Sequence, residues 1–97
     1  MQQVETIVVT RHPALVEYLR EEGLISPDVQ VIAHATAEDV RGKRVVGVLP
    51  LRLAVEAEEV VEIPLDLPPE ARGRELTLDE VRRYAGAPVT YVVTRRS

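Results

Sequence analysis

Ninety-seven residues supply one hydrophobic core and no room for a second, so the chain reads as a single domain over residues 1–97. Hydrophobic residues at 45% and charged residues at 29% exclude a disordered chain, and the lack of cysteine excludes disulfides and thiolate metal sites. A net charge of −4 excludes a binder relying on a basic face, so DNA is not an expected partner.

The chain has no Phe and no Trp, which leaves Val, Leu, Ile and Ala to fill the core, with Tyr18, Tyr84 and Tyr91. A chain this small buries a limited share of its surface, so a homo-oligomer that covers more of it is expected. No basic region followed by an apolar stretch opens the sequence, and the apolar run Val45 to Leu51 is too short to span a bilayer. A cytoplasmic protein without a membrane partner is therefore expected. Lys43 is the only lysine beside eleven arginines, and Asn is absent. Such depletion fits a thermophilic source, and a GC-rich genome would also favour Arg over Lys.

Val4 to Thr10 is a β-branched run ending in a polar turn and reads as the first strand. Pro13 suits the first position of a helix, where its missing N–H costs nothing. Leu15, Val16 and Leu19 form the apolar stripe of that helix, and Gly23 is its stop. Val29 to Ala33 is a second strand ending at His34, and Thr36 to Asp39 can open one helical turn. Arg44 to Leu49 is a third strand, and Pro50 repeats the strand-then-proline pattern before a helix over Leu51 to Glu59. Val60 to Leu65 is a fourth strand, and Asp66 to Leu76, with two prolines and a glycine, is a loop. Thr77 and Glu80 have capping-box spacing, so a third helix runs from Leu78 to Ala85 and stops at Gly86. Pro88 to Arg95 is a last strand. Alternating strands and helices predict an α/β, Rossmann-like three-layer domain, with a mainly parallel sheet of about five strands and three helices.

In a parallel sheet the strand exits Thr10-Arg11-His12, His34, Pro50 and Asp66 share the carboxyl edge, where open α/β sheets bind ligands. Helix N-termini there carry a positive dipole end, and the Arg11 fork suits phosphate. The same residues have plainer roles. Thr10 can serve as a cap, Arg11 as a solvated charge, and either histidine as a structural hydrogen-bonding group. Neither histidine has the partners of a metal site. Arg72 and Arg74 flank Gly73 in the long loop, either as surface ion pairs with Glu70 and Glu75 or as an arm closing over a phosphodiester. Glycine-rich phosphate loops are absent, so no nucleotide cofactor is expected.

Three stretches together resemble a family of small Csx-type CRISPR-associated accessory proteins of type III systems. They are Thr10-Arg11-His12-Pro13-Ala14, Val46-Gly47-Val48-Leu49-Pro50, and the segment Leu65-Asp66-Leu67-Pro68-Pro69-Glu70-Ala71-Arg72-Gly73-Arg74-Glu75-Leu76. The resemblance implies a ring nuclease, a metal-independent enzyme without cofactor that opens cyclic tetra-adenylate and so switches off antiviral signalling. On that reading Arg11 and His12 are catalytic, and Thr10, His34, Pro50, Asp66, Arg72 and Arg74 bind substrate. A binding module that sequesters the ring uncut, or a structural subunit, are the competing expectations.

Overall fold

The computed structural model describes residues 4–96. Five strands form one sheet in the order β2-β1-β3-β4-β5: β1 Thr6–Val9, β2 Gln30–Ile32, β3 Arg44–Gly47, β4 Glu59–Glu62 and β5 Val89–Tyr91. The pairs β1/β2, β1/β3 and β3/β4 are parallel, and only β5 runs antiparallel, on β4. Four α-helices connect or cover them: α1 Pro13–Glu21, α2 Ala37–Val40, α3 Leu51–Ala54 and α4 Leu78–Tyr84.

Helices cover both faces because successive residues of a strand point to opposite sides. Val8 and Val46 pack with Leu15, Leu19 and Val81 from α1 and α4. Ile7, Val9 and Val45 pack with Val40 of α2 and Leu53 of α3 on the other side. The inner strands β1 and β3 are thus apolar on both faces, as buried parallel strands are. Arg82 reaches from α4 to Glu21 of α1 with two hydrogen bonds of 2.6 and 2.8 Å and holds that carboxyl below its usual range. This contact spans 61 residues of sequence and fixes the two helices of that face to each other.

The mainly parallel sheet of five strands agrees with expectation, and the helix count is corrected from three to four. Thr36 and Asp39 build a full capping box, so the single turn foreseen there is realised as α2. The helix expected over Leu51 to Glu59 stops at Ala54. Residues 55–58 instead form a turn tied to the segment before β3: Gly42 N–H donates to the Glu56 carbonyl at 2.9 Å and Glu58 N–H to that of Lys43 at 2.8 Å. Glu59 then opens β4 rather than closing a helix. The third strand ends at Gly47, not Leu49, because Gly47 takes φ of +141° and turns the chain out of the sheet. Pro64 cannot donate to a ladder, so β4 ends before it and Leu65 keeps only an isolated bridge to Ala85.

Candidate functional site

The strand order sets the position of the site. From β1 the chain passes through α1 to β2 on one side, and from β3 it passes through α3 to β4 on the other. The two connections diverge, so a crevice opens at the carboxyl ends of β1 and β3. A cleft of about 340 Å3 lies there, walled by Thr10, Arg11 and His12 after β1, by Gly47 at the end of β3 and by Val48 just after it. Its floor includes Val9, Ile63 and Leu65.

Two further clefts flank it. One, of about 440 Å3, runs toward the outer strand β2 along Val16, Val31 and Ala33. The other, of about 540 Å3, runs toward the long loop along Leu67, Gly73, Arg74 and Glu75. Arg11 and His12 line all three, which makes their turn the common wall.

Local hydrogen bonds shape that turn. Thr10 N–H donates to the Ile32 carbonyl at 3.1 Å and continues the sheet, while its hydroxyl accepts from His12 N–H at 3.1 Å. Thr10 therefore closes a tight side-chain turn one step before the helix rather than capping α1 itself. His12 is the residue before the first turn, with extended backbone and no capping bond from its imidazole. Its carbonyl accepts from Leu15 and Val16, so the backbone is used locally and both exposed side chains stand free of the turn. Ion pairs among the described residues take Arg41, Arg44, Arg74 and Arg82, and leave Arg11 available for a ligand. An unpaired guanidinium beside a helix start is a donor fork matched to phosphate oxygens.

Of the residues singled out in the sequence, Thr10, Arg11, His12 and Arg74 come together around these clefts. His34, Pro50, Asp66 and Arg72 are exposed, and none of them lines a cleft shared with Arg11 and His12. Pro50 precedes α3, which has four residues and is too short to concentrate a dipole. Asp66 N–H donates to the Tyr84 carbonyl and ties the loop to the end of α4. Gly47, Val48, Gly73 and Glu75 were not singled out as site residues. Only Gly47 carried a signal, a glycine where a strand must leave the sheet.

Arg74 is not a free cation. Its Nη1 and Nη2 meet Glu80 Oε1 and Oε2 at 2.9 and 2.5 Å, and Nε and Nη1 donate to the carbonyls of Glu70 and Glu75 at 3.3 Å. Glu80 also accepts from Thr77 N–H at 3.0 Å, as the acidic half of the cap of α4. The loop that forms the third cleft is thereby pinned to a helix start. The Arg74 fork, with the Thr77 N–H, holds the Glu80 carboxyl down from 4.5 to about 2. A depressed carboxyl adds stability above its unfolded pKa and loses it as pH falls toward its folded value. Melting temperature is expected to fall more steeply for the wild type than for Glu80→Gln as pH drops from about 4.5 toward about 2. Parallel curves in calorimetry would overturn this role for Glu80.

Among the described residues, no three His, Cys, Asp or Glu side chains cluster to hold a metal ion. No helix among the described residues is long and apolar enough to cross a membrane.

Fold and site together define an α/β protein with clefts at the carboxyl edge of its sheet. Residues 7–94 match the family model described as "Putative CRISPR-associated protein (Cas_VVA1548)". The chain belongs to this family of CRISPR-associated proteins. No curated protein and no solved structure matches it.

Proposed function

We propose that the chain is a ring nuclease of type III CRISPR systems, opening cyclic tetra-adenylate without a metal ion on a Rossmann-like frame. The observation that carries this reading is the Arg11–His12 turn, an unpaired guanidinium beside an imidazole on the wall common to three clefts. Family membership supports the CRISPR context.

Metal-free RNA cleavage uses the ribose itself. The 2′-hydroxyl loses its proton, O2′ attacks the adjacent phosphorus, and the bond to the 5′-oxygen breaks as that oxygen takes up a proton. The products are a 2′,3′-cyclic phosphate and a free 5′-hydroxyl. Arg11 supplies charge to the non-bridging oxygens as the attack proceeds. His12 is the side chain of the turn whose chemistry allows proton transfer, and the cleft walls hold O2′ in line with the leaving oxygen. The ring is a repeat of one unit, so a two-fold homodimer would present the same turn to it twice. Support for self-association is the apolar groove of about 240 Å3 near β5, rimmed by Leu51 and Tyr91, which are 73% and 47% exposed. A monomer in sedimentation velocity would overturn the dimer.

Purified protein incubated with cyclic tetra-adenylate in excess EDTA is expected to release linear adenylates ending in 2′,3′-cyclic phosphate. A ring that stays intact while bound overturns the nuclease. It would establish the second reading, a module that sequesters the messenger. One feature favours that alternative: the His12 imidazole makes no capping bond and is exposed, so nothing on the turn orients it as a base.

A further inference from the structure

The cleft beside β2 has a different character from the anion wall it adjoins. Its apolar surface comes from Val16 of α1 with Val31 of the outer strand and Ala33 just after it, and Val31 is 39% exposed. Arg20 and Glu17 of α1 form the rim, and the cleft joins the central one through Thr10, Arg11 and His12. None of the three tyrosines lines it.

The free edge of β2 adds polar groups. Ile32 is in register with Val9, and its carbonyl takes the N–H of Thr10, so the polar groups of Ile32 face β1. The polar groups of neighbouring residues in a strand point in opposite directions. Val31 therefore turns its N–H and C=O, side by side, to the edge that is unpaired among the described residues, and the Ala33 N–H points the same way. A donor beside an acceptor on one edge, next to aliphatic side chains, matches a flat heterocycle carrying an amino group next to a ring nitrogen.

We infer that this cleft is a nucleobase subsite. It takes an aminopurine, with the amino group and ring nitrogen on the Val31 backbone pair, the ring margin against the Val31 and Ala33 side chains, and the Arg20 guanidinium over one ring face. Cation stacking of that kind replaces the missing aromatics. The inference rests on the proposed adenylate ligand and adds where a base is read: beside the strand, one step from the phosphate at Arg11. About 440 Å3 accommodates a single base with room for its ribose.

The test compares linear tetra-adenylate with an abasic ribose-phosphate oligomer of the same length, each bound by wild type and by Ala33→Leu. Ala33 is exposed, so the added isobutyl group fills the cleft rather than the core; matched melting temperatures verify this. Wild type is expected to prefer the adenylate at least about tenfold, the scale of one stacked base. Ala33→Leu is expected to lose that preference while keeping its affinity for the abasic oligomer. A preference that survives in Ala33→Leu overturns the subsite, as does equal binding of both oligomers by wild type, which would leave an anion site standing alone. Binding of neither oligomer overturns the adenylate reading itself. Should Ala33→Leu melt early, Arg20→Ala replaces it, with the same loss of preference expected and its retention overturning the inference.

Discussion

Gly47→Ala is expected to melt more than about 10 °C below the wild type, the largest loss among alanine substitutions of the five glycines. A Cβ at position 47 would sit 2.1 Å from the Val9 carbonyl oxygen and 3.0 Å from its carbon. Both obstacles are backbone, so no rotamer change relieves them. The φ of +141° adds strain that an L side chain tolerates poorly. Relief requires β1 and β3 to move apart where Val8 and Val46 are 0% and 1% exposed, in the middle of the sheet. A disturbance of that kind costs about 3 kcal/mol or more, and each kcal/mol moves the melting point of a domain this size by roughly 4–8 °C. Gly73→Ala is the matched control. It also has positive φ, at +79°, but nothing lies within 4 Å of the added carbon. Its expected loss is confined to backbone strain, about 1 kcal/mol. Equal melting points for the two variants, measured by calorimetry, would refute the close approach of the two strand ends. The same approach forms one wall of the central cleft, so Gly47→Ala should weaken ligand binding even well below its melting point.

The elements best readable in the sequence are those whose signals are local. The β-branched run into Thr10, proline at the first turn of α1 and the Thr77–Glu80 box each fix a boundary through their own covalent or hydrogen-bonding chemistry. The excess helix over Leu51 to Glu59 has no such signal against it, because what ends it is the non-local bond from Glu58 to Lys43. Thr10, Arg11 and His12, placed on the carboxyl edge by the strand pattern, do line the clefts there. The same pattern also gathered His34, Pro50 and Asp66, because sharing an edge of a sheet says nothing about distance along that edge. Arg74 shows the same limit in side chains. Glu70 and Glu75 are its nearest carboxylates in sequence, yet it takes only their backbone carbonyls and pairs with Glu80, six residues on, where the cap of α4 turns that side chain back. A free arm closing on a ligand therefore gives way to a loop already held in place. Its arginine shapes the third cleft while Arg11 remains the free cation of the common wall.

That division of labour sets the second large effect. Arg11→Ala is expected to slow ring opening by about 10²–10³-fold, the usual loss when one preorganised donor to a developing oxyanion is removed. Single-turnover rates in EDTA measure it, with enzyme in excess so that weaker binding does not mask the chemistry. His12→Ala is expected to cost less than about tenfold. Full acid–base catalysis contributes roughly 10²–10⁴-fold, and an exposed imidazole without an orienting partner falls short of that. Arg74→Ala should lower the melting temperature and loosen the loop, with its single-turnover rate reduced far less than that of Arg11→Ala. Melting curves should leave Arg11→Ala unchanged, because Arg11 is exposed and makes no ion pair among the described residues. If His12→Ala instead abolishes cleavage and Arg11→Ala only weakens binding, the imidazole is the proton carrier and the guanidinium a simple anchor. The opposite outcome identifies slow catalysis by charge and alignment, with the substrate's own 2′-hydroxyl supplying the nucleophile.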